Sequence, residues 1–164
     1  MDESSTIPFK NVSEQVINFL MRIPIFDSMT GEELRTISRH MRYIKLEKGE
    51  TIFKEGDTGH YVCFLTHGSL DVLKSTDMGT VALATLHKGR SIGEMAIIDE
   101  FPRSATVKTR TKATLIVVYR KDFNLILTSY PKIGIKILKG ISRLLSQNLR
   151  KASSRLADYM LPVS

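Results

Sequence analysis

Three features of the amino-acid sequence predict an α+β, mainly β fold: a small antiparallel β-barrel or jelly roll, flanked by N-terminal helices and a long C-terminal helix. Between Tyr43 and Tyr119, short β-branched and aromatic runs recur with glycine at the corners. A spacing of roughly 8–12 residues with such turns is the rhythm of a sandwich or jelly roll. Ahead of them the apolar spacing is helical. Behind them, after Pro131, no further proline occurs up to Tyr159, and apolar residues at 133, 137, 138, 141, 144, 145, 149, 152 and 156 form a helical stripe.

The elements follow in order. Residues 1–10 are polar and read as a loose tail. From Val12 to Met21, apolar residues at 12, 16, 17, 19, 20 and 21 give a short helix, and Pro24 stops it. Thr30 stands three residues before Glu33, the spacing of a capping box. Leu34, Ile37, Ser38 and Met41 continue one face, so a second helix runs over about 30–41. Then the period changes. Strands are expected at Tyr43–Glu47, Thr51–Lys54, Tyr61–Thr66, Ser69–Lys74, Val81–Leu86, Ser104–Thr109 and Ala113–Tyr119. The turns between the early strands fall at Gly49, Gly56, Gly68 and Gly89. Asp122–Ser129 reads as a short helix, and Pro131 suits the first turn of the last one. The expected division is a tail and helix over 1–22, a barrel over 23–130, and a C-terminal helix over 131–164.

Composition bounds the function. The 164 residues suit one domain. With 42% hydrophobic and 25% charged residues, disorder and a coiled-coil rod are excluded as the main state. No run approaches ~18 apolar residues, so no membrane span is expected. Asp2 and Glu3 and the lack of an apolar stretch over Met1–Lys10 argue against a secretory leader. One cysteine, Cys63, excludes an internal disulfide framework, and a cytoplasmic location is expected. His40, His60, His67 and His87 are scattered, without metal-ligand spacing. No nucleophile elbow, P-loop or paired carboxylates occur, so the chain is not expected to be an enzyme.

The net charge of +7 is unevenly placed. The first 122 residues hold 17 bases and 16 acids, whereas the span between Asp122 and Asp158 holds seven bases and no acid. Those bases are either a solvated helix face or a surface for an acidic partner, nucleic acid or anionic lipid.

One stretch breaks the strand rhythm, from Ser91 to Thr106. Gly93 permits a tight turn or a close ligand approach. Glu94–Ile98 is long enough for one or two helical turns, whose free amides suit an anion. Arg103 follows a short proline loop, and its planar fork matches phosphate oxygens. Ser104 adds a hydroxyl. Glu94 should repel an anion, unless the ligand carries both a phosphate and neighbouring hydroxyls.

Gly93-Glu94-x-Ala96, five residues, then Pro102-Arg103-Ser104-Ala105-Thr106 resembles the phosphate-binding cassette of cyclic nucleotide-binding domains, found in kinase regulatory subunits, gated channels and catabolite activator proteins. Upstream, Glu55-Gly56-Asp57-x-Gly59 and Phe64-Leu65-x-x-Gly68-x-Leu70-x-Val72 are similar to the family's early strands. Ile25-Phe26 and the helix from Thr30 resemble its N-terminal entry. The resemblance covers about residues 23–150. It implies that Glu94 binds the ribose 2′-hydroxyl and Arg103 the cyclic phosphate. Ser104 reinforces the phosphate, and Gly93, Glu94, Met95 and Ala96 line the pocket together with Ala105. The last helix caps the purine, with Asn148, then Ser153, as its polar candidates. The implied ligand is cyclic AMP or cyclic GMP. Cys63 stands where the family often has an aromatic, and His60 where an acid is common; neither touches the cassette.

The resemblance implies a sensor that signals by moving its C-terminal helix, either within a homodimer seamed by that helix or toward an unidentified protein effector. The alternatives are a fragment of a catabolite-activator-type regulator and a scaffold that binds no nucleotide. Only Leu161-Pro162-Val163-Ser164 follows Met160. No DNA-reading helix fits there, so direct sequence-specific DNA binding is not expected.

Overall fold

The computed structural model describes residues 3–9 and 12–160. Helix α1, Glu14–Leu20, starts where Ser13 accepts from the Val16 amide. Helix α2, Gly31–Ser38, has the expected capping box. The Thr30 hydroxyl accepts from the Glu33 amide at 3.2 Å, and Glu33 accepts from the Thr30 amide at 2.8 Å. It is shorter than expected, because the chain turns away after Ser38 to place Met41 in the core.

Nine strands follow the predicted rhythm in two antiparallel sheets. They are β1 Ile7–Pro8, β2 Arg42–Leu46, β3 Thr51–Phe53, β4 Tyr61–His67, β5 Ser69–Thr76, β6 Gly79–His87, β7 Ser91–Ile92, β8 Thr106–Thr109 and β9 Ala113–Tyr119. One sheet has the order β1-β2-β9-β4-β7 and the other β3-β8-β5-β6, so the barrel is two facing sheets, not a closed cylinder. Gly68 joins β4 to β5 at φ +87°, and a Cβ there would strike the backbone of Lys112 and Ala113.

The sequence of β9 explains its position. Its residues from Leu115 to Tyr119 are all buried, because side chains alternate across a strand and both faces are covered. Leu115 and Val117 meet Leu65, Leu70 and Val107 between the sheets. Ile116 and Val118 meet the helices, among Leu34, Ile37, Phe123 and Ile137. Each such side chain contributes about 1.5–3 kcal/mol by burial.

Three expectations are corrected. Residues 3–9 are not a loose tail: Glu3–Ser5 forms a 3-10 turn, β1 pairs with β2, and Phe9 packs on Tyr43 with ring centroids 5.6 Å apart. Strand β8 starts at Thr106, because Ser104 and Ala105 still belong to the loop. The short helix after β9 starts two residues early, as α4, Arg120–Ser129.

Helix α5 is Pro131–Met160, about 45 Å long at 1.5 Å per residue. Its first half is bolted to the body. Ile133, Ile137 and Ile141 are buried. Gly134 lies against Leu127 of α4, and at Gly140 a Cβ would collide with the Ile25 backbone. Lys136 pairs with Glu33 at 2.7 Å and Arg143 with Asp27 at 2.5 Å. Beyond Leu145 every residue to Met160 is exposed.

Candidate functional site

Helix α3, Glu94–Asp99, and the loop to Arg103 enclose one side of a cavity of about 460 Å³, a size suited to a small ligand. Gly93, Glu94, Met95, Ala96, Arg103, Ser104 and Ala105 all line it, and Asn148 closes it from α5. The chain therefore brings together residues up to 55 positions apart. Ser153 lines neither this cavity nor its neighbour and is exposed on α5.

Gly93 caps α3 at φ +82°, the left-handed region that glycine adopts without cost. A side chain there would also collide with the Arg103 guanidinium. Gly59 plays the same part from the other side, where a Cβ would strike Ala96 and approach the guanidinium carbon to 3.2 Å. The two glycines thus make the slot that Arg103 fills.

Arg103 is only 3% exposed. It donates to the Tyr61 carbonyl at 2.8 Å and the Gly93 carbonyl at 3.2 Å. Its guanidinium lies 4.1 Å from the Phe53 ring centroid and 4.7 Å from that of Tyr61, within cation–π range. Burial pulls its pKa below the ordinary value, opposed by Tyr61 and other neighbours, but a guanidinium keeps its proton in proteins. A fixed, dehydrated cation therefore stands at the cavity wall.

Glu94 faces the same cavity and is 9% exposed. Burial pushes its carboxyl above the usual carboxylate range, with Arg103 pulling the other way. Its Oε2 and the Arg103 Nε are buried without a hydrogen-bond partner. Such orphaned atoms cost about 1–3 kcal/mol each, which a ligand with a matching donor or acceptor removes.

The loop is braced from outside. Lys74 of β5 donates to the Ser104 carbonyl at 2.8 Å and pairs with Glu55. The Gly56 amide donates to the Arg103 carbonyl, and the Arg103 amide to the Asp57 carbonyl. Arg120, the first residue of α4, donates to the carbonyls of Gly59 and Ala96 and pairs with Glu100 at 3.1 Å. Sequence reasoning missed Phe53, Tyr61, Lys74 and Arg120. Their only signal was a long side chain or ring at a strand or helix end near the cassette. Phe101, 69% exposed, and Leu86 add apolar surface to the cavity.

Cys63 is fully buried, and burial pushes its thiol up to about 12, which suits a core residue and not a nucleophile. Among the described residues no group of three or more His, Cys, Asp or Glu could hold a metal ion, and no helix is long and apolar enough to cross a membrane.

Comparison with known proteins gives one consistent picture. A putative potassium channel protein of Rhodopseudomonas palustris is 28% identical over 82% of this chain and 33% of its own length. A cAMP-dependent protein kinase regulatory subunit of Schizosaccharomyces pombe is 28% identical over 74% of this chain and 29% of its own. The chain thus spans about a third of the curated relatives it matches. A cyclic nucleotide-binding domain from Methylobacillus flagellatus shares the fold, with a TM-score of 0.85 over 96% of this chain and 91% of that one, at 24% identity. The family model described as cyclic nucleotide-binding domain matches residues 43–130, from β2 to the end of α4. This chain belongs to the cyclic nucleotide-binding domain family.

Proposed function

We propose that the chain is a regulatory module that binds cyclic AMP or cyclic GMP and answers by moving the distal half of α5. One observation carries the reading. A buried cation and a buried carboxyl, each with an unpartnered atom, face one cavity with the cassette's spacing. That is a site for a ligand that joins an anion to a hydroxyl. Arg103 takes the cyclic phosphate, and Glu94 accepts from the ribose 2′-hydroxyl. Gly93, Met95 and Ala96 shape the wall, Ser104 reinforces the phosphate, and Ala105 stays small beside it. Asn148 meets the base from α5. In this reading residues 23–130 hold the nucleotide, and the helix from 131 onward is the lid.

Arg120 offers the route outward. It ties α3 to the start of α4, and α4 packs on α5 through Leu127 and Gly134. Binding favours whichever placement of α5 gives the nucleotide more contacts, a population shift. The output is a second copy or a protein effector. Leu145, Leu149, Ala152, Leu156 and Tyr159 repeat at alternate spacings of four and three, as in a two-stranded coiled coil. Leu149, Leu156 and Tyr159 are 69%, 60% and 89% exposed. This stripe supports a homodimer of parallel α5 helices. Leu145 is half-buried against the core, so Leu149→Glu with Leu156→Glu is the cleaner test. A lower mass by light scattering is expected, and a mass unchanged by the pair removes the seam.

Calorimetry with cyclic AMP and cyclic GMP tests the main reading. Arg103→Ala should weaken binding by about 2–5 kcal/mol, the scale for removing one partner of a buried charge pair. Affinity retained in that variant defeats the assignment. Absence of binding by both nucleotides favours a scaffold that binds none. The ratio of the two affinities gives the base preference.

A further inference from the structure

The bases of α5 divide into two groups. Lys136 and Arg143 are tied to Glu33 and Asp27. Lys151 and Arg155, one helical turn apart, are not. They line a second cavity of about 640 Å³ between α5 and the end of β6. Arg90, from the turn between β6 and β7, faces it from the barrel, beside His87 and Lys88. Lys88 rests over the Phe19 ring at 5.6 Å. Among the described residues no carboxylate pairs with Arg90, Lys151 or Arg155. Glu94 is the one acid on the wall, at the junction with the first cavity. Leu86, Ser91 and Asn148 are shared by both cavities as well, so the two are continuous.

We propose that this chamber is a second phosphate site, separate from the Arg103 slot. Two guanidinium forks and an ammonium converge on a concave space, which is the chemistry of phosphate capture. A duplex or a lipid surface would meet a convex or flat basic face, whereas here the cations line a cavity between α5 and the barrel. The phosphate belongs either to a larger ligand with two phosphates that fills both cavities, or to a separate phosphorylated molecule beside the first ligand. Joint occupancy rests on the nucleotide reading above; the chamber itself does not.

The test is calorimetry on the full chain with three probes: cyclic AMP, cyclic di-AMP and pyrophosphate, the last with and without cyclic AMP. The wild type is compared with Lys151→Ala/Arg155→Ala and with Arg90→Ala, all exposed positions that leave the core intact. If one ligand spans both cavities, cyclic di-AMP binds about tenfold or more tighter than cyclic AMP, and either variant removes that gain. If the phosphate is separate, pyrophosphate binds with its own stoichiometry in the presence of cyclic AMP, and the variants weaken it about tenfold. In both cases cyclic AMP alone changes by less than about threefold, since its phosphate sits on Arg103. Pyrophosphate that binds through Lys151 and Arg155 where cyclic AMP does not bind keeps the chamber and defeats the nucleotide reading. Cyclic di-AMP and pyrophosphate that both fail to bind, or bind equally to wild type and variants, overturn the chamber.

Discussion

The two halves of α5 share one helix and one apolar stripe but live in different environments. From Ile133 to Ile141 the stripe is buried except at Leu138, glycines admit neighbouring backbone, and two lysine or arginine side chains hold acids of the N-terminal elements. From Ser146 onward the same stripe faces water, and among the described residues no acid pairs with Lys151 or Arg155. Helical periodicity shows which face is apolar; it does not show whether anything covers that face. Coverage is set by the length of the body, which ends before the helix does. The first half is therefore packed against the body, and the second stands exposed beside the cavities.

The largest expected contrast is in packing. Ile137→Ala should cost about 2–5 kcal/mol in denaturant unfolding, while Gln147→Ala, exposed and off the stripe, should stay within about 0.5 kcal/mol. Similar losses at both positions would erase the distinction. Gly140→Ala comes next, because its methyl meets the Ile25 carbonyl with no room to yield. A loss of about 1–3 kcal/mol is expected, the range for overpacking. A neutral result would show that α5 slides on the body. Lys136→Ala should cost less than about 1 kcal/mol, since its pair with Glu33 is partly exposed and screened. That loss should shrink further in high salt, and a salt-independent loss would mean that the stem, not the charge, matters.

The last test changes a slope instead of a fold. Burial raises the Glu94 carboxyl above its unfolded value. The folded state then holds the proton more tightly, so stability is greatest below the ordinary carboxyl range and falls as pH rises through the folded value. Glu94→Gln should flatten that fall in unfolding curves recorded without nucleotide. The same fall in the variant would assign it to another group. Leu149→Gln, in the free half, should leave the slope as it is.

Much of this was legible in the residues. Thr30 and Glu33 announce their cap, and the glycine-bounded runs announce seven of the nine strands. The cassette residues from Gly93 to Ala105 line one cavity, as their pattern implies. Strands β1 and β7 are two residues each, too short to carry a period, and exist through their partners in β2 and β4. The slot around Arg103 was hidden for a different reason. Phe53, Gly59 and Tyr61 lie 42 or more positions before it, and only the pairing of β3 with β8 and the folding back of the loop unite them. Of the two polar candidates on the last helix, Asn148 lines the cavity and Ser153 does not, because they lie on different sides of α5.

The contact of Gly140 with Ile25 sets the scale of any signal. In the proposed response it would be the fixed point, and the twenty residues beyond it make an arm of about 30 Å at 1.5 Å per residue. A tilt of about ten degrees would move Asn148 by about 2 Å and carry the tip by about 5 Å over that length. Amplitude at the tip is then set by arm length, and affinity by the residues near the cavity. Trimming the helix from its end would shorten the stroke while leaving the grip on the nucleotide unchanged.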